Sequence, residues 1–230
     1  MTNPVDASND YRAKLNSLRE GARSLGRLVE RQYDEAIRCF STCDSAGAKR
    51  VVSGQEQVHE LTRQLDGFCC DMLHDAKPSE SADLRIATTT IRIIAELEHI
   101  GREAVTIARS VLKCEKNGCE INSYLTVKVI AERTGQLLHD TLEAFSRVDR
   151  KMATFLASED EIVEHEVDAI TRSAILYMLE DRRAITPALE TLSFAKAIEH
   201  VSDHIKSIAE WVLYMGDAKD DSVSLNIATS

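Results

Sequence analysis

The chain has 230 residues with only 9 Gly and 3 Pro, against 43% apolar side chains. Chain-turning residues thus stand at less than half their average usage, which argues against a sandwich, barrel or doubly wound sheet and for long helices joined by short turns. A formal net charge of −10 repels a phosphate backbone, so nucleic acid is not an expected partner, while soluble proteins and cations suit the sign.

Apolar residues at alternating three- and four-residue steps mark six amphipathic helices. The first, about 8–41, carries Leu15, Leu18, Ala22, Leu25, Val29, Ala36 and Cys39. The second, about 46–75, runs through Val51, Val58, Leu61, Leu65, Phe68 and Met72. It ends before Lys77-Pro78, because a residue preceding proline is pushed out of the helical region. The third, about 82–113, passes through Leu84, Ile91, Ile94, Leu97, Ile100, Ala104, Ile107 and Val111, and Asn117-Gly118 stops it. Val127, Ile130, Leu137, Leu138, Leu142 and Phe145 line the fourth, about 122–147. Met152, Leu156, Val163, Val167, Ile170 and Ala174 line the fifth, which ends near Asp181. The sixth carries Leu192, Ile198, Val201, Ile205, Ile208 and Val212 from about Pro187 to Met215. Residues 217–230 are polar and aperiodic and are expected as a disordered tail.

Leu97-Glu98-His99-Ile100 through Ile107-Ala108 aligns with Ile198-Glu199-His200-Val201 through Ile208-Ala209, and Val58-His59-Glu60-Leu61 aligns in outline with Val167-Asp168-Ala169-Ile170. Such self-similarity indicates a duplicated unit. Helices of roughly 40 to 48 Å suit elongated bundles better than a globin-like pile. The expected fold is therefore all-α: two pseudo-symmetric antiparallel three-helix bundles, 8–115 and 120–216, with no strands.

Acids spaced i, i+4 project two carboxylates from one helix face, a geometry that suits cations. Spacing alone discriminates poorly, since a chain with 38 acids yields roughly 6 such pairs by chance. Glu199 and Asp203 border Ile198, Val201 and Ile205, while Glu164 and Asp168 border Val163 and Val167. Acids beside a buried seam are costly unless paired or metal-bound, and the plainer reading is a solvated edge.

Two runs occupy corresponding places in the two halves. Ile198-Glu199-His200-Val201-Ser202-Asp203-His204, continuing through Ile208-Ala209-Glu210-Trp211-Val212, resembles the sixth-helix signature of the PhoU family of phosphate-signalling regulators. Lys77-Pro78, Asp83-Leu84-Arg85 and Leu97-Glu98-His99-Ile100-Gly101 resemble its third-helix signature. The resemblance spans about residues 12–216. It implies a PhoU-like, non-catalytic regulator that couples the ATPase subunit of a phosphate ABC transporter to a sensor histidine kinase, with a homodimer left open. It also implies acid-xxx-Asp motifs that bind metal ions on two helices of each half. Matched residue by residue, the second half keeps that motif twice, so Glu164, Asp168, Glu199 and Asp203 are the expected ligands of a divalent or trivalent ion: iron, zinc, manganese or magnesium.

The first half departs from the pattern, reading Gln55-xxx-His59 and Glu98-xxx-Arg102. Losing three of four carboxylates removes most of the charge that holds a cation. Arg102 is placed to pair with Glu98 along the helix. His59 and Glu98 remain a weaker candidate site, with His59 a nitrogen ligand or a plain hydrogen-bonding group. The divergence also admits a PhoU-like accessory of some other transport or regulatory system.

Glu56 to His59 and Glu96 to His99 have the Glu-x-x-His spacing of di-iron carboxylate enzymes, but both fall on consecutive helices of one half, which disfavours that rival. Of six cysteines, Cys39 and Cys69 fit buried seams as small hydrophobes, and Cys114 with Cys119 is expected to be the most accessible pair. His74 and His139 need no special role, and Arg182-Arg183 suits a helix C-terminus. The start, residues 1–16, lacks a signal-peptide pattern, and no apolar run approaches the roughly 18 residues of a membrane span. The expected compartment is the cytoplasm, with reduced thiols.

Overall fold

A computed structural model describes residues 4–75, 81–117 and 125–228. The helices are α1 (Pro4–Thr42), α2 (Ser45–Asp75), α3 (Ser81–Asn117), α4 (Leu125–Arg147), α5 (Arg150–Glu180) and α6 (Ile185–Ala228), with a short 3-10 turn (Arg182–Ala184) before α6. No strand occurs among the described residues. Pro78, Gly118 and Cys119 lie outside them.

The duplication recurs in the turns. Cys43 (φ 52°) and Val148 (φ 55°) hold the left-handed conformation, and each precedes an aspartate that caps the next helix. Asp44 Oδ1 accepts from Gly47 N at 2.8 Å, and Asp149 Oδ1 accepts from Lys151 N and Met152 N at 3.0 and 3.1 Å. These bonds satisfy amides that a helix start leaves unpaired. A valine at positive φ is a steric outlier; Val148 is held there while packing against the core.

Two helix limits differ from expectation. α6 begins two residues before Pro187, because a first-turn proline gives up no intrahelical bond. It also runs on to Ala228, through most of the stretch expected as a tail: no proline and no further glycine follows Gly216 to stop propagation.

α1, α2 and α3 pack as one three-helix bundle, and α4, α5 and α6 as the second, with the two joined along α3–α6 and α1–α4. The α3–α6 joint is antiparallel. Lys113 meets Glu190 at 3.8 Å, Glu103 meets His200 at 3.4 Å, the His99 and His204 rings lie 4.9 Å apart, and Arg92 sits over the Trp211 ring at 4.4 Å. Under the repeat alignment His200 corresponds to His99 and His204 to Glu103, so the pairs Glu103–His200 and His204–His99 exchange across a pseudo-twofold.

One continuous core runs from Tyr11 to Met215 through both bundles. Phe40 of α1 stacks on Phe194 of α6 with centroids 3.7 Å apart. On the other joint, buried Tyr33 donates to the Ala131 carbonyl at 3.0 Å. Gly26 lets the helices close up there, since a Cβ on it would stand 2.5 Å from a Leu142 methyl and make that side chain shift. The expected seam residues Leu84 and Met152 are instead exposed, each in the first turn of its helix.

Candidate functional site

The four predicted ligands lie on two packed helices, Glu164 and Asp168 on α5, Glu199 and Asp203 on α6. Glu164, Asp168 and Asp203 are exposed, and Glu199 is half-buried. Glu199 accepts from Lys196 Nζ at 2.5 Å and Asp168 lies 3.8 Å from Arg172. Glu164 and Asp203 have no ion-pair partner among the described residues. The four carboxylates are not drawn into one tight cluster.

Asp160, one turn before Glu164 and itself i, i+4 from it, was not singled out by the sequence, yet it is buried. It accepts from Ser202 Oγ at 2.7 Å and from Lys206 Nζ at 3.2 Å, tying α5 to α6. Burial, together with Asp160 and Glu199, pushes the Asp203 carboxyl above the usual carboxylate range, with His200 and His204 opposing. Carboxylates are the donor type that hard or borderline metal ions take, but the four predicted ligands do not place their oxygens within one coordination sphere here.

The first repeat handles its groove differently. His59 Nδ1 donates to Glu98 Oε1 at 3.1 Å across α2 and α3, so Glu98 pairs between helices rather than along α3 with Arg102 as expected. Gln55 accepts from buried Gln32 at 3.2 Å; counted from the equivalent caps Asp44 and Asp149, it stands where α5 has Asp160 rather than Glu164. His59, Glu98, Gln55 and Arg102 line one shallow groove, and the structure thus brings the weaker candidate pair, His59 and Glu98, together.

Adjacent residues of each signature have separate tasks. Glu98 lines the groove of its own bundle and Glu199 pairs with Lys196 along α6, whereas His99 and His200 meet the opposite bundle. His204 Nδ1 lies 2.7 Å from Glu96 Oε2, and burial, with Arg102 and His204 nearby, pushes His99 below the ordinary histidine range. Glu96 and His99 therefore serve the α3–α6 joint while Glu56 and His59 line the outer groove, so the two Glu-x-x-His pairs do not converge on a di-iron centre.

The PhoU domain model matches residues 22–111 and again 127–212. The phosphate-specific transport system accessory protein PhoU of Escherichia coli is 34% identical over 214 residues, 93% of this chain and 88% of that protein. The chain belongs to the PhoU family. The crystal structure of PhoU from Pseudomonas aeruginosa superposes with a TM-score of 0.86 at 30% identity, covering 89% of this chain and 98% of that one. That of a phosphate transport system regulatory protein PhoU from Streptococcus pneumoniae, at 20% identity, gives 0.81 over 89% and 96% and bears on the fold alone.

This PhoU-family chain has further polar clusters. Glu35, Cys39 and Asp44 place ligand atoms within 4.8 Å of one another. Their charge is already met, because Arg38 reaches Glu35 and Asp44 at 2.6 and 3.1 Å and Arg50 reaches them at 3.2 and 3.8 Å. Asp44 is also a helix cap. In the α1–α4 cleft His139 Nδ1 lies 2.6 Å from Glu30 Oε1, a partner that the sequence did not suggest. Cys39 and Cys69 are buried, and burial pushes the Cys69 thiol up to about 11. Cys114, expected to be accessible, is buried too, while Cys43 and Cys70 are exposed. Arg182 and Arg183 sit in the 3-10 turn just beyond the α5 terminus. No helix is long and apolar enough to cross a membrane, among the described residues.

Proposed function

We propose that the protein is a cytoplasmic, non-catalytic regulator of phosphate uptake and phosphate-starvation signalling, an accessory of a phosphate-specific transporter. The observation that carries this reading is the match of both repeats, together with relatives named as phosphate-specific transport accessory proteins over nine-tenths of the chain. Its partners are the ATPase subunit of a phosphate ABC transporter and a sensor histidine kinase, which it links as an adaptor. Regulation of this kind needs recognition surfaces rather than a nucleophile or general base, and the pseudo-twofold places one groove in each bundle, of different charge.

The α5–α6 groove binds a divalent or trivalent metal ion, iron, zinc, manganese or magnesium, through Glu164, Asp168, Glu199 and Asp203. A bound cation would neutralise carboxylates there and clamp α5 to α6. Asp160 supports that groove from beneath by holding Ser202 and Lys206.

Deleting the gene and reading a phosphate-starvation reporter tests the assignment. Expected is a reporter that stays on in abundant phosphate. A reporter unchanged in both high and low phosphate rejects the reading. It would leave an accessory of another transport system, which the diverged first-repeat residues Gln55, His59 and Arg102 favour.

A further inference from the structure

The α3–α6 joint gathers three imidazoles that neither the regulatory reading nor the carboxylate groove uses. α6 presents His200 and His204 four residues apart, and α3 presents His99 and Glu103 at the same spacing. Side chains so spaced share one helix face. Because the helices run antiparallel, the two pairs oppose each other: Glu103 Oε1 lies 3.4 Å from His200 Nδ1, and the His99 and His204 rings face one another with centroids 4.9 Å apart. All three imidazoles reach solvent, His99 fully and the other two in part. Two histidines at i, i+4 on a helix chelate a metal, and a third from the neighbouring helix completes a donor set for a borderline transition ion.

Geometry, orientation and charge all favour an ion there. Imidazoles that share one metal at about 2.0–2.1 Å per nitrogen have centroids roughly 5 Å apart, which is the separation of His99 and His204, and those two rings are inclined at 48° rather than stacked. Glu96 holds His204 Nδ1 at 2.7 Å and Glu103 holds His200 Nδ1, so each Nε2 is left without a partner among the described residues. A carboxylate on the far nitrogen is what orients a metal-binding histidine. Glu96, Glu103 and Asp203 surround the imidazoles with negative charge, and Arg102 opposes them. The three nitrogens do not yet meet at one point; rotation of the accessible His99 and His200 side chains closes the set.

We propose that His99, His200 and His204 form a binding site for a late first-row transition ion, nickel, copper or zinc, with Glu96 and Glu103 orienting the imidazoles. Nitrogen donors select these metals, whereas carboxylates suit magnesium and manganese. The site stands on its own donors, so an unchanged phosphate reporter would leave it untouched. Calorimetric titration of the untagged full chain with nickel tests it. The wild type should bind with a dissociation constant below about 50 μM. His99→Gln and His204→Gln should each weaken nickel binding at least about tenfold, while the Glu164→Gln/Asp168→Asn double variant should change it less than about twofold. Nickel should also raise the melting temperature of the wild type by clamping α3 to α6, and should not raise that of His204→Gln. His99 is exposed and makes no ion pair, so His99→Gln keeps the fold and decides the matter even if His204→Gln, which loses the Glu96 bond, unfolds. Nickel binding weaker than about 1 mM, an affinity indifferent to His99→Gln, or a loss that follows the carboxylate variant instead overturns the proposal.

Discussion

The α2–α3 groove and the α5–α6 groove descend from one plan and have reached opposite electrostatic solutions. In the first, His59 bonds Glu98, Gln55 is tied to Gln32, and Arg102 lines the same hollow. In the second, Asp160, Glu164, Asp168, Glu199 and Asp203 stand along two packed helices, and desolvation, joined by the charges of Asp160 and Glu199, raises the Asp203 carboxyl. What the repeats share is whatever holds the backbone: the left-handed turn residue, the aspartate cap and the buried seams. What separates them lies on outward-facing positions, where substitution costs packing little. A duplicated fold can thus keep its frame while one copy retains a charged site and the other discharges it.

The largest effects should appear where the repeats are alike. Phe40 and Phe145 occupy equivalent places before the two turns, and both are buried in the one core. Each changed to alanine should cost about 3–5 kcal/mol in urea denaturation, within a single transition. Two separate transitions, with only one displaced by each variant, would show that the bundles unfold independently.

Cation binding comes next, where the repeats differ. In calorimetric titration with manganese, the Asp168→Asn/Asp203→Asn double variant should lose at least about tenfold in affinity, whereas Glu98→Gln should change it less than about twofold. Without cations the sign reverses for Asp203. Its raised native pKa means that the fold holds this proton more tightly than the unfolded chain does. The associated stability is full below the ordinary aspartate value, near pH 3.9, and is lost as pH rises through the native value. Cation-free Asp203→Asn should therefore melt above the wild type at neutral pH, with the gain shrinking toward about pH 4. Equal losses from both grooves, or a lower melting temperature in the cation-free variant, would erase the proposed asymmetry.

The smallest effect contrasts the two joints between the bundles. On α4, the bond to Glu30 raises the His139 pKa, while burial opposes it; on α3, His99 is pushed down. Stability from His139 is fully present below the ordinary histidine value and is lost as pH rises through its raised native one. With its imidazole largely exposed, His139→Ala should cost below about 1 kcal/mol near pH 5.5 and little near pH 9. Nuclear magnetic resonance titration should find His139 ionising above His99, and the reverse order would contradict both environments.

The helix count, the seams and the two halves were readable because a 3.6-residue period and a repeated motif are local signals. Leu97, Ile100, Val201 and Ile208 are buried as their spacing predicts. Helix ends were less so: Pro187 and Gly216 are punctuation that a long helix tolerates when its first turn, or its packed neighbours, remove the penalty. At the candidate site, Glu98 and His59 could be named from spacing. Their bond to each other could not, because a residue on a helix surface has several neighbours and only packing selects among them.

Asp160 shows the same limit from the other side. Nothing in its spacing separates it from the acids around it, and it matters because α6 brings Ser202 and Lys206 over it. Likewise Glu98-His99 and Glu199-His200 read as one motif each, although neighbouring residues on a helix point about 100° apart and so serve a groove and a joint respectively. The chain by itself determined periodicity, duplication and net charge, since these are carried by local order and composition. Which acid is buried and which histidine is paired were decided only by the tertiary structure, because burial and pairing depend on what another helix presents across the gap.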